Sequence, residues 1–208
     1  MRRFVVIGQQ ATAAGDFLLI DVAGTSGRLD VLLRCLRAAL LVSHGLRRDT
    51  VVYLVLLGGP RAPRVVRFDG SAIRFVRPDE RSLGVMVQKA LEAGLEGCGF
   101  VEIRSGLAVA EGGLDAVLAD LPRAVRAVEA PSAGASAYVL DEGARDIRDA
   151  EIDLREPVFF VGDHLGFDDG SRLLLAAHGV TRLGLGPVSV HAEDAITLVC
   201  NELDRRGA

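Results

Sequence analysis

Lysine is almost missing from this chain of 208 residues: Lys89 is the only one. Cysteine is scarce as well. Cys35, Cys98 and Cys200 lie far apart and make no CxxC or Cys/His ligand spacing, which argues against a disulfide framework or a structural zinc site. Buried free thiols are the expectation. No apolar run reaches the roughly eighteen residues of a membrane span, because Arg, Asp or His interrupts each one. Behind Met1-Arg2-Arg3 the apolar stretch Phe4–Ile7 is too short for the core of a signal peptide. It reads as a first strand, and the protein as cytoplasmic. GxxxxGK[ST] is absent, so a P-loop is excluded. Gly184-Leu-Gly186-Pro-Val-Ser189 opens like GxGxxG but ends in serine, with no second βαβ half behind it, so a nicotinamide oxidoreductase is poorly supported. No Ser/His/Asp or Cys/His arrangement has a catalytic spacing.

What is present is the balance of one globular domain: half the residues are hydrophobic and a quarter charged, with a net charge of -4. That sign disfavours a protein coated in nucleic acid. The positive charge, however, is almost all arginine, whose planar fork suits phosphate and bases; the plainer cause is codon usage. Thr50–Leu57 is a β-branched and aliphatic run closed by Gly58-Gly59-Pro60, a strand buried on both faces. Leu29–Gly45 and Asp79–Leu95 have helical spacing. Arg64–Phe68 reads as a short strand and Glu96–Gly113 as a loop with one short strand. Leu114–Glu129 reads as a helix broken at Pro122, and Ala130–Ala137 as a joint. Ser136–Leu140, Pro157–Val161 and Thr181–Leu185 are expected strands; Asp168–His178 and His191–Arg206 are expected helices. Alternation of this kind predicts an α/β fold with a mainly parallel sheet.

In open parallel sheets, ligands bind beyond the carboxyl ends of the strands. Three such ends carry glycine and polar residues: Leu140-Asp141-Glu142-Gly143, Gly162-Asp163-His164-Leu165-Gly166 and Leu183-Gly-Leu-Gly-Pro187. Each alone is ordinary turn punctuation; three on one sheet edge point to a nucleotide-like ligand read by main-chain groups. Asp163, His164, Asp168 and Asp169 match no zinc or calcium loop and read as a loop before an acidic helix start. His191 is taken to organise a turn. In the N-terminal half, Arg28, Arg48, Arg67 and Arg81 fall near element ends, where phosphate can reach them, whereas Arg34 and Arg37 read as a solvated helix face. Neighbouring acids (Asp30, Asp49, Asp69, Asp79) can equally cancel these charges.

Stretches along nearly the whole chain resemble one family. They are Phe4-Val-Val-Ile-Gly8, Asp16-Phe17, Ser26-Gly-Arg-Leu-Asp-Val-Leu32, Ser43-His-Gly-Leu-Arg-Arg-Asp49 and Val52-Tyr-Leu-Val-Leu-Leu-Gly58, then Arg67-Phe68, Pro78-Asp-Glu-Arg-Ser82 and Lys89-Ala-Leu91. Gly162-Asp-His164, Leu185-Gly-Pro187, His191-Ala192 and Asn201-Glu-Leu-Asp204 follow. In this order they resemble the archaeal-type tRNA (pseudouridine-54-N1)-methyltransferases of the SPOUT class.

The resemblance implies one SPOUT domain over the whole chain, with a trefoil knot over roughly 136–208, S-adenosylmethionine as methyl donor, a homodimer and tRNA as substrate. Carried over by position, the donor contacts are Leu140, Gly162, the run Leu185, Gly186, Pro187, Val188, Ser189 and Val190, and Ala195. The chemistry needs no metal. Arg28, Arg48, Arg67 and Arg81 are the candidate RNA contacts, and Asp69 and Asp79 the candidates for a carboxylate that assists loss of the N1 proton. Many family members carry cysteine where Ala195 stands and histidine where Cys200 stands, and Ile103-Arg-Ser-Gly106 follows the family's Ser-Thr-Pro-Gly stretch loosely. Two alternatives stay open: the same reaction on a ribosomal pseudouridine, and a non-catalytic RNA-binding or assembly factor of the same fold.

Overall fold

The structure is a computed structural model and describes residues 1–94, 99–122 and 136–207. The central strand β1 (Arg2–Thr12) outruns its apolar heart at both ends. It lies between β4 (Thr50–Gly58) and β9 (Val158–Gly162), parallel to both. Because successive strand residues point to opposite faces, Phe4 and Val6 enter one core layer and Val5 and Ile7 the other. β8 (Ala137–Leu140) pairs with β9, and β10 (Thr181–Leu183) adds outside β8, both parallel.

The other half of the sheet runs differently. β5 (Arg64–Asp69), β7 (Leu107–Glu111) and β6 (Val101–Arg104) extend it from β4 by antiparallel pairing. The eight strands stand in the order β10-β8-β9-β1-β4-β5-β7-β6. The sheet is therefore parallel from β10 to β4 and antiparallel beyond.

The larger core layer is covered by α2 (Leu29–Leu40), α3 (Glu80–Glu92) and α6 (Ala192–Arg205). α2 buries Leu29, Leu32, Leu33, Leu36, Ala39 and Leu40 at helical spacing. Each such leucine contributes about 1.5–3 kcal/mol relative to exposure. α6 lies against it with Ile196, Val199, Cys200 and Leu203. The other layer is thinner and is covered by α4 (Leu114–Asp120) and α5 (Asp169–Ala177). Arg2, buried, pairs with Asp49 at 2.7 Å and with Asp204 at 2.8 Å, tying the first strand to the last helix. Cys35 and Cys200 are buried free thiols, and desolvation raises the pKa of both. Cys98 lies outside the described residues.

Three expectations need correction, and one short element was not foreseen. The helix expected to reach Gly45 stops at Leu40, where the chain turns extended into the hairpin β2 (Leu41–Val42) and β3 (Gly45–Leu46). A short helix, α1 (Val22–Thr25), capped by the Asp21 carboxylate on the Gly24 amide, precedes α2. Glu96–Gly113 contains two strands, not one, because β6 and β7 form a hairpin on the sheet edge. Thr181–Leu185 is strand only to Leu183, since Gly184 turns towards the Arg145–Ile147 segment. The second half of the expected helix Leu114–Glu129 and most of the joint Ala130–Ala137 lie outside the described residues.

Candidate functional site

A cleft of about 850 Å³ opens beyond the carboxyl ends of β8, β9 and β10. One wall is the start of α2 with Arg28, Val31 and Arg34; another is the start of α6 with His191, Ala192, Glu193 and Ala195.

The floor is the turn after β9. Asp163 has a side chain only 1% exposed. Its Oδ1 accepts from the Leu165 amide and its Oδ2 from the Gln9 amide, both at 2.8 Å. The Asp163 amide donates to the Ile7 carbonyl at 3.0 Å, and the Gly166 amide to the Asp163 carbonyl at 2.9 Å. The turn is thus fixed to β1. It also folds back so tightly that a Cβ on Gly162 would meet the Gly166 backbone at 2.8 Å. Backbone cannot swing aside as a flexible side chain can, so only glycine fits.

The turn after β8 is held by Asp141, which takes a forked pair from Arg182 at 2.9 and 2.8 Å. The Arg182 hydrogen bond keeps the Asp141 carboxyl below the usual range. Glu142, on the same turn, meets the Ser189 hydroxyl across the cleft mouth.

The turn after β10 is the most open. Gly184 is satisfied on both sides, by the Arg145 carbonyl and the Ile147 amide, each at 2.8 Å. Beyond it, among the described residues, no amide from Leu185 to Val190 donates within the protein. Gly186 has φ +125, a conformation that side chains avoid, and faces open space. This is a row of main-chain donors with no internal partner, as a ligand read by backbone requires.

On the α2 wall the charges are paired. Arg28 adopts a left-handed backbone (φ 69) and grips Asp30 with Nε at 2.9 Å and Nη2 at 3.2 Å. Arg34 reaches Asp30 at 2.8 Å through Nη1 and Glu193 at 2.8 Å through Nε, linking α2 to α6. Burial pushes the Asp30 carboxyl up, but Arg28 and Arg34 outweigh it, and the net shift is downward.

Leu140, Gly162, Leu185, Gly186, Val188, Ser189, Val190 and Ala195 all line this cleft; Pro187 is exposed in the same turn and does not. Of the four arginines singled out in the sequence, Arg28 alone lines it. Arg48 donates through Nη1 to the carbonyls of Gly70 and Ile73, at 2.9 and 2.7 Å. Arg67 sits on the antiparallel half, bound to both Asp120 oxygens at 2.9 and 2.8 Å and lying 4.6 Å over the Phe100 ring. Arg81 is exposed in the first turn of α3.

The two candidate acids are engaged elsewhere. Asp69 ends β5 opposite Val51, at the sheet edge away from the cleft, and its Oδ1 accepts from the amide and hydroxyl of Ser71. Asp79 caps α3 through the Ser82 amide at 2.8 Å, which holds its carboxyl low.

Sequence reasoning missed Arg34 and Glu193 as cleft residues, whereas Glu142 and His164 stand in the strand-end turns it singled out. Arg34 was assigned to a solvated face, although its i,i+4 spacing from Asp30 hinted at a partner. His191 does not organise the turn through its ring: it occupies the cap position of α6 without a side-chain capping bond.

A parallel half-sheet with a glycine-walled cleft at its strand ends is the arrangement of an α/β protein that binds a nucleotide-like ligand. The chain belongs to the family described as "Putative SAM-dependent RNA methyltransferase", whose model matches residues 1–208. It is 40% identical over 210 residues to the tRNA (pseudouridine(54)-N(1))-methyltransferase of Methanosarcina acetivorans, covering all of this chain and 93% of that one. The enzyme of the same name from Halobacterium salinarum is 40% identical over 209 residues, covering 100% and 98%. In fold, the chain is similar to the crystal structure of Archaeoglobus fulgidus Nep1 bound to S-adenosylhomocysteine. That match has a TM-score of 0.59 and 13% identity, and covers 100% of this chain and 99% of that one.

Proposed function

We propose that this chain transfers a methyl group from S-adenosylmethionine to N1 of pseudouridine 54 in the T-arm of tRNA. The observation that carries the donor site is the amides of Leu185, Gly186, Val188, Ser189 and Val190, which have no internal acceptor among the described residues, in one cleft with a turn that only Gly162 permits. The full-length relatedness to enzymes of that name carries the substrate.

The residues present fit the donor. Backbone groups of Leu140 and of Leu185–Val190 can read an adenine edge, and the small side chain of Ala195 leaves room beside them. Pro187 belongs to this set as the turn's stiffener rather than as a contact. When bound, the donor supplies a methyl already activated by the sulfonium, so the protein has only to position and deprotonate.

Pseudouridine is joined to ribose through carbon, and its N1 therefore carries a proton. Methyl transfer forms the N1–C bond as the S–C bond breaks, and the N1 proton leaves. The Asp30–Arg34–Glu193 network holds Arg28 at the rim, where its half-exposed guanidinium can steady the base. In-line placement supplies most of the rate. Within one chain neither Asp69 nor Asp79 lines the cleft, so the reading passes the proton to water at its open mouth.

The homodimer and the trefoil knot over roughly 136–208 belong to the same reading. Val188 (72% exposed) and Leu165 (52%) leave apolar surface beside the cleft that a second copy would cover. β10 follows β9 in the chain but lies outside β8 in the sheet, a crossover that this reading would require.

The test is mass spectrometry of tRNA nucleosides from a deletion strain. Loss of 1-methylpseudouridine, restored by the cloned gene, is expected. Its persistence in tRNA, with loss from ribosomal RNA, would move the substrate to the ribosome.

A further inference from the structure

A second groove, of about 1140 Å³, adjoins the first cleft at Arg34 and Glu193 and runs on towards the carboxyl end of α2, between α2, the β2–β3 hairpin and α6. Phe75 stands on its rim. This ring is 91% exposed, more than any other large hydrophobic side chain described. Its backbone is left-handed (φ 57), which a bulky residue adopts only when its surroundings impose it. Those surroundings are visible: Arg48 clamps the carbonyls of Gly70 and Ile73, and Ile73 is itself fully buried. The chain emerges from that anchor with Phe75 turned outward instead of inward.

The charges around the ring are mixed but mainly positive, with Asp79 and Glu80 exposed just beyond Arg77 and Asp79 interacting with it. Arg74 and Arg77 flank it and are exposed, and Arg37, Arg47 and Arg48 lie on the groove walls. Of the acids on the same walls, Glu193 and Asp204 are engaged by Arg34 and Arg47, which leaves Asp194. An aromatic face ringed by arginines matches unpaired RNA, whose bases stack on a ring while phosphates meet guanidinium groups. A base-paired stem offers no free face for it.

We propose that Phe75 is a stacking platform for an unpaired base of the RNA substrate, with Arg37, Arg74 and Arg77 on the adjoining phosphates. The proposal rests on the RNA reading above but is separable from the reaction. Arg48 is then a positioning residue that presents the platform.

The probe is a fluorescent T-arm hairpin with pseudouridine at the loop position, titrated by anisotropy at one fixed salt concentration. Phe75→Ala should raise Kd roughly 5- to 140-fold, the range for loss of one stacked base. Phe75→Trp should stay within about twofold of wild type. A blunt RNA duplex should bind both variants alike, while donor affinity and sedimentation mass stay at wild-type values. Unchanged hairpin affinity in Phe75→Ala overturns the proposal. So does failure of Phe75→Trp to restore it, or a change of mass, which would make Phe75 a subunit contact. The two readings separate in the same tubes. A stacking loss without methyl transfer by the wild type sinks the reaction and keeps the platform; methyl transfer with no stacking loss does the reverse.

Discussion

Gly162 and Asp30 show how single residues set the site. Any Cβ at Gly162 would intrude on the Gly166 backbone, and forcing extra atoms into such a contact costs about 1–3 kcal/mol. Gly162→Ala should lower unfolding stability by about that amount and weaken S-adenosylmethionine binding in calorimetry by displacing the turn, and Gly162→Arg should abolish methyl transfer. Wild-type affinity in both would remove this turn from the donor site. Asp30 has a folded-state pKa below its ordinary value, so its contribution to stability is present above about pH 4 and is lost as pH falls through the lower folded value. Stability curves of Asp30→Asn and wild type should therefore converge as pH drops below about 4. Parallel curves across that window would show that the Arg28 and Arg34 pairing contributes nothing.

At the scale of elements, α3 tests what Asp79 does. As the cap on Ser82 it should contribute about 1 kcal/mol. Asp79→Ala should lower the unfolding midpoint while methyl transfer, measured well below that midpoint, continues at the wild-type rate; a collapse of turnover would return Asp79 to the chemistry. The same scale shows what could be read from the residues alone. β4 was legible because seven consecutive positions from Thr50 to Leu56 are buried, and a strand covered on both faces must be apolar throughout. α2 was legible from its leucine spacing and α6 from apolar residues at helical spacing, Ile196, Val199 and Leu203. The three ligand turns stood out because glycine and acids follow each apolar run abruptly. β6 was not legible: Val101–Arg104 alternates half-buried and exposed residues, and its strand state comes from pairing with β7. The role of Arg34 was hidden for a related reason, since Glu193 is 159 positions away and only the packing of α6 on α2 joins them. Left-handed Phe75 gave no local sign, because the anchor that turns it outward is Arg48, on another element.

Across the whole molecule, labour is divided along the sheet. The parallel half carries the cleft proposed for the donor, while the antiparallel half carries the Arg67–Phe100–Asp120 cluster and adds nothing to that cleft. Arg67→Ala should therefore lower stability, because it leaves Asp120, among the described residues, with only the Tyr53 hydroxyl and no opposite charge, and leave donor affinity as it was. A fall in donor affinity would show the two halves to be coupled.

The carboxylate of Asp163 links the amides of Gln9 and Leu165, so the place proposed for the methyl donor is bolted to the central strand β1. An unfolded chain has no such place, and occupancy must register as resistance to heat. At a hundred times its dissociation constant, the donor should add about 2.7 kcal/mol, a rise in melting temperature of roughly 5–10 °C for a chain of this size. Thermal scanning with and without S-adenosylmethionine would thus report binding before any RNA is supplied.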